Sequence, residues 1–126
     1  MKFSRQTAIV GIGATEFSKN SGRTPMQLAT ECSLKACEDA GIEPSLINGI
    51  SVFSAEKNTE IEVARNLGIP ELTFFSMIHH GGGAPGGVIQ QAAMAVDSGV
   101  ADYVLVYRAF NERSWHRFGT GVQGRH

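Results

Sequence analysis

The stretch Met77-Ile78-His79-His80-Gly81-Gly82-Gly83-Ala84-Pro85-Gly86-Gly87-Val88-Ile89-Gln90-Gln91-Ala92-Ala93-Met94-Ala95-Val96 decides the fold. It reads as the end of a strand, a glycine-rich turn and a helix from about Gly86 to Ser98, with Gly99 at its close. Apart from Gln90 and Gln91, every residue from Val88 to Val96 is apolar. A helix that is apolar nearly all round must be covered nearly all round, and one sheet cannot do that. A second covering layer, from another domain or another chain, is therefore expected. The four predicted strands of this chain supply none.

Working outward, the segments alternate. Thr7–Ile12 is a short apolar run and a predicted buried strand. Thr24, Pro25 and Gln27 form a capping box with proline at the first helical position, opening a helix striped with Leu28, Ala29, Cys32, Ala36, Cys37 and Ala40 and closed by Gly41. Pro44–Gly49 predicts a single turn feeding a strand at Ile50–Phe53. Thr59 and Glu62 suggest a second capping box, starting a short helix that carries Ile61, Ala64 and Leu67 before Gly68 and Pro70. Leu72–Ile78 is a third predicted strand and Asp102–Tyr107 a fourth. The order β-α-β-α-β-α-β predicts an α/β domain with a mainly parallel sheet and covering helices. Asn111–His126 is polar and glycine-dotted and reads as a loop or truncated connection.

Composition bounds the function. The chain has 126 residues, 42% hydrophobic and 18% charged, with a net charge of −1. That is one folded domain, with no basic surface for nucleic acid or an anionic membrane. No apolar run is long enough to span a bilayer and the first residues lack a signal-peptide core, so the cytoplasm is the expected location. Cys32 and Cys37, five apart on a predicted helix, suit neither a mutual disulfide nor a zinc site and read as small buried apolar residues; no metal site is expected. Gly11 and Gly13 are followed by no third glycine at dinucleotide spacing, and no Walker lysine follows the later glycines.

Three blocks together carry a family resemblance: Ala8-Ile9-Val10-Gly11-Ile12-Gly13-Ala14-Thr15-Glu16-Phe17, then Ala40-Gly41-Ile42 with Pro44 and Ile47-Asn48-Gly49-Ile50, then Ala95-Val96, Ser98-Gly99 and Ala101-Asp102-Tyr103-Val104-Leu105-Val106. Arg108–Ser114 adds to it. Over roughly the first 118 residues the chain resembles the N-terminal half of a thiolase, and most of all the thiolase-like lipid-transfer proteins and aldolases of steroid side-chain degradation. The resemblance implies that residues 1–126 are an N-terminal thiolase-like domain, incomplete relative to the family, within a five-layered fold whose central helices include Val88–Val96. It also implies a homodimer formed through the 72–78 strand, and a partner subunit with an OB-like, zinc-holding domain.

In thiolases a nucleophilic cysteine sits just before the central helix, where free N–H groups and the helix dipole favour the thiolate. That position falls near Gly82, and Gly81–Gly87 offers only Gly, Ala and Pro. None can be acylated, which argues against cysteine-dependent acyl transfer. The cysteine-free relatives imply a lyase reaction instead, retro-aldol cleavage of a hydroxyacyl-CoA with the coenzyme A thioester as substrate and no covalently bound cofactor. A non-catalytic scaffold subunit and an acyl-CoA or lipid carrier are the alternatives. Gly81, Gly82 and Gly83 are candidates to hold a thioester or enolate oxygen, or else only ease a tight turn. His79 and His80 are candidate proton carriers or structural histidines, and at most one of the two faces the site. Tyr107, with Arg108, ends the fourth strand, where parallel sheets place ligand groups. The catalytic residues themselves stay unassigned.

Overall fold

The computed structural model describes residues 6–16, 22–54, 59–79 and 84–109. Helix α1 spans Pro25–Ala40, strand β1 Gly49–Phe53, helix α2 Glu60–Leu67, strand β2 Phe74–Ile78, helix α3 Ala84–Asp97 and strand β3 Val104–Val106. One 3-10 turn, Pro44–Leu46, leads into β1. The three strands form one parallel sheet in the order β2-β1-β3.

Local signals set these boundaries as the sequence predicts. The Thr24 hydroxyl accepts from the Gln27 amide at 3.1 Å while the Gln27 side chain accepts from the Thr24 amide at 2.8 Å. Both satisfy helix-start donors that have no carbonyl partner. Thr59 accepts from the Glu62 amide in the same way, although its hydroxyl donates to the Glu62 carboxylate, so the second box is not reciprocal. Gly41 and Gly68 close their helices with φ of 73° and 76°, a left-handed backbone that a side chain disfavours.

The central strand explains the layering. Gly49, Ile50, Ser51 and Val52 are all buried, as both faces of a parallel strand must be. Ile50 and Val52, with Leu105 of β3 and Tyr107 just after it, meet Leu28, Ala29 and Cys37 of α1 and Val63, Ala64 and Leu67 of α2 in one core. The opposite face meets α3, where the Ser51 hydroxyl donates to the Val88 carbonyl at 2.8 Å. Ser76 on β2, in register with Ser51, bonds the Gln91 side chain. At the amino ends of the strands, the Asn48 side chain accepts from the amides of Asp102 and Tyr103 and donates to the Asp102 carboxylate, tying the start of β3 to β1.

Four expectations are corrected. The predicted strand Thr7–Ile12 is no strand: the segment crosses α1 outside the sheet, with Ile9, Val10 and Ile12 exposed. No backbone ladder is offered to it by the described residues, and an apolar run without a partner strand cannot satisfy its own N–H and C=O groups. Gly11 and Gly13 bring it against the helix, since a Cβ would stand 2.4 Å from the Ala36 carbonyl and 2.4 Å from the Cys32 carbonyl. Ser33 joins the buried face of α1, whereas Cys32, Ala36 and Ala40 are only partly buried and turn toward this segment. On α2 the buried residue is Val63, not Ile61, which is 54% exposed. The 72–78 and 102–107 strands shrink to the ranges given above, because ladder bonds, not apolar runs, set strand ends.

The flank of α3 away from the sheet is open, with Ile89 48% and Met94 38% exposed. The covering layer expected for this helix is not among the described residues. Residues 111–126, predicted as a loop or truncated connection, lie outside them.

Candidate functional site

Parallel α/β sheets bind ligands beyond the carboxyl ends of their strands. Here that edge carries Phe53 at the end of β1, His79 after β2, the first turn of α3, and Tyr107 and Arg108 after β3. Pairing of β1 with β2 runs past the end of β1, with the Ser54 amide donating to the Ile78 carbonyl at 2.8 Å. That bond holds the exits of β1 and β2 together.

His79 leaves the end of β2 exposed. His80, Gly81, Gly82 and Gly83 lie outside the described residues. Tyr107 is 6% exposed and belongs to the core shared with α1 and α2. Arg108 is exposed and its guanidinium stands 5.6 Å from the centroid of the Phe53 ring. Such a cation–π contact is worth about 0.5–1 kcal/mol at an open site and fixes where the charge sits. Phe53 was missed from sequence because it reads simply as the last apolar residue of a strand; only the lateral order of β1 and β3 puts it under Arg108.

The start of α3 separates two readings of its glycines. A Cβ on Gly86 would meet nothing within 4 Å, and one on Gly87 would make ordinary contact, 3.4 Å, with Ile78 Cγ2. Packing against the described residues therefore requires glycine at neither position. The same turn carries no acidic residue and leaves its first amides without helical acceptors. It is an uncharged, sterically open turn suited to an oxygen that carries partial negative charge.

Thiol chemistry has no support at this edge. Both cysteines lie on α1. Cys37 is in the core, and burial, followed by the nearby Glu43 charge, pushes its thiol above the ordinary value. Cys32 Sγ bonds the Ala29 carbonyl of its own helix at 3.3 Å. Among the described residues no group of three His, Cys, Asp or Glu side chains is placed to hold a metal ion. No described helix is long and apolar enough to cross a membrane.

Comparison with known proteins gives this arrangement its context. No protein-family model matches the sequence. The chain is 60% identical over 118 residues to the "Steroid side-chain-cleaving aldolase" of Thermomonospora curvata, covering 94% of this chain and 30% of that protein. It is 61% identical over 116 residues to the "17-hydroxy-3-oxo-4-pregnene-20-carboxyl-CoA lyase" of Mycobacterium tuberculosis, covering 92% of this chain and again 30% of the other. Among solved structures, the Ltp2-ChsH2(DUF35) aldolase superposes with a TM-score of 0.83 at 61% identity over 86% of this chain and 28% of that one. A monomeric SCP2-thiolase-like protein from Mycobacterium smegmatis superposes at 0.63 with 25% identity, over 78% of this chain and 22% of that one. The fold is thus that of a thiolase-like half-domain. In sequence the chain is similar to steroid side-chain aldolases, and it spans about three tenths of the length of the curated relatives it matches.

Proposed function

We propose that this chain is the N-terminal part of a thiolase-fold lyase that cleaves a carbon–carbon bond in a steroid side-chain hydroxyacyl-CoA by retro-aldol reaction. One observation carries the reading. A chain about 60% identical to proteins named aldolase and lyase has only Gly, Ala and Pro from Gly81 to Gly87, where a thiolase needs its nucleophile. Retro-aldol cleavage needs no acyl-enzyme. A base takes the hydroxyl proton, the carbon–carbon bond breaks, a ketone leaves, and the electron pair passes into a thioester enolate that is then protonated.

In this reading the turn Gly81–Gly83 and the first amides of α3 hold the enolate oxygen, which carries most charge in the transition state. His79 and His80 are the candidate proton carriers of this chain. Tyr107, whose ring is in the core, serves by positioning the exit of β3. The remaining acid–base groups come from polypeptide outside this span. The exposed side chains of β2, Phe75 and Met77, make that edge strand the proposed homodimer seam, and a zinc-holding OB-fold subunit is the proposed further partner.

The test uses the chain within its full assembly and a hydroxyacyl-CoA with a tertiary hydroxyl on the β carbon. Appearance of the ketone and the shortened acyl-CoA, undiminished after iodoacetamide treatment, is the expected result. A requirement for free coenzyme A, or inactivation on thiol alkylation, would overturn the reading. The alternative reading is a non-catalytic scaffold subunit or an acyl-CoA or lipid carrier. It predicts acyl-CoA binding with no cleavage in that same assembly.

A further inference from the structure

Strand register places one charged side chain on the face of the sheet that carries α3. Ser51 bonds the Val88 carbonyl, so this parity of β1 points toward α3. Side chains alternate faces along a strand, so Phe53 points the same way as Ser51, while Ile50 and Val52 enter the core with α1 and α2. Phe53 pairs with Ile78 of β2, and a Cβ on Gly87 would stand 3.4 Å from Ile78 Cγ2. Ile78 therefore lies against the first turns of α3. On the other side of β1, Ser51 pairs with Val106 of β3. Two residues further on, Arg108 comes beside Phe53, while Tyr107 between them stays in the α1 and α2 core. Ile78, Phe53 and Arg108 thus form one row across the exits of the strands, on the α3 face.

Neighbouring strands are about 4.8 Å apart, so the backbone of Arg108 starts about 10 Å from that of Ile78. The side chain closes part of that distance. Its guanidinium stands over the Phe53 ring, 5.6 Å from the centroid, one strand nearer to α3 than its own backbone. The ring restrains where the charge lies, and the guanidinium brings a planar fork of N–H donors that stays protonated. Arg108 is exposed, so a ligand entering along the carboxyl edge of the sheet reaches it.

Given the lyase reading above, on which this rests, we propose that Arg108 binds the thioester oxygen of the hydroxyacyl-CoA and stabilises the charge that collects there during cleavage, with Phe53 as its positioning residue. The base takes the hydroxyl proton, the electrons of the broken carbon–carbon bond pass to the thioester oxygen as the ketone leaves, and the enolate is then protonated at carbon. Arg108 donates hydrogen bonds to that oxygen throughout and keeps its own protons. The thioester is neutral and the enolate carries a full charge, so a cation fixed at this oxygen favours the transition state over the bound substrate. The phosphates of coenzyme A are the other anions of such a substrate. The pantetheine arm carries them away from a thioester seated at the start of α3, whereas Arg108 shares a row with the residue under that start.

The experiment measures kcat and KM for cleavage of the hydroxyacyl-CoA by the full assembly carrying Arg108→Ala, Arg108→Lys or Phe53→Leu. Arg108→Ala is expected to lower kcat about a hundredfold or more, as loss of an oxyanion donor does, with KM and the thermal transition little changed. Added guanidinium, far below denaturing concentration, should restore part of that kcat. Arg108→Lys should fall between wild type and Arg108→Ala, and Phe53→Leu should lose about two- to fivefold in kcat. If Arg108→Ala fails to assemble, Arg108→Gln, closer in length, carries the same expectation. A raised KM with kcat intact would overturn the proposal and assign the charge to the phosphates. A fall in kcat with a lowered thermal transition and no rescue would make the role structural and overturn it too. A cleaving wild type with an equally active Arg108→Ala would overturn this proposal alone, whereas a wild-type assembly that leaves the substrate intact would overturn the lyase reading as well.

Discussion

The Ser51 hydroxyl donates to the Val88 carbonyl at 2.8 Å, and among the described residues it is the one buried side-chain hydrogen bond between β1 and α3. Ser51 is 0% and Val88 6% exposed. The bond sets how far along the sheet the first turns of α3 sit relative to the strands. Replacing Ser51 with Ala removes a buried hydrogen bond, at a cost of about 1 kcal/mol. Ser51→Leu forces a larger side chain between the layers, at about 1–3 kcal/mol or more. Denaturant unfolding should rank them wild type, Ser51→Ala, Ser51→Leu in falling stability, and equal stability of all three would refute this role.

Gly11 and Gly86 should respond oppositely to alanine. At Gly11 the new Cβ would stand 2.4 Å from a helix carbonyl, so the segment must leave α1. Gly11→Ala should expose residues 6–16 to limited proteolysis at low protease concentration. At Gly86 there is open space within a helix, and alanine there should stabilise by up to about 1 kcal/mol. Thermal melts and a protease time course separate the two.

Asn48 bridges β1 to the residues that precede β3, its Nδ2 lying 3.3 Å from the Asp102 carboxylate. Asn48→Asp swaps that donor for a second carboxylate beside the first. Like charges this close repel, so the variant should be less stable than wild type, by an amount that shrinks as salt screens the pair. Melting temperatures equal to wild type at low and high salt alike would contradict the argument.

Cys37 should resist alkylation. Its thiol is buried and held above the ordinary value, so little thiolate is present at pH 8. Cys32, half-buried and nearer the surface of α1, should react first with iodoacetamide. Because the folded-state pKa of Cys37 is raised, its contribution to stability is complete below the unfolded thiol pKa and falls as pH rises through the folded value. Peptide mapping by mass spectrometry and a melt series from pH 7 to pH 10 test both statements.

What could be read from sequence was what short-range chemistry fixes. Thr24 with Gln27, Gly41 and Gly68 marked helix ends because capping involves neighbours within a few residues, and the apolar run from Val88 predicted a helix needing cover on both sides. Missing thiols near Gly82 were likewise plain, since an absent side chain needs no fold to be noticed. Tertiary structure decided everything that depends on lateral neighbours. It left Thr7–Ile12 outside the sheet, although its composition is that of a strand, because a strand exists only where another edge pairs with it. It set Arg108 over Phe53, since which segments lie side by side is a property of the packed chain and not of any local run.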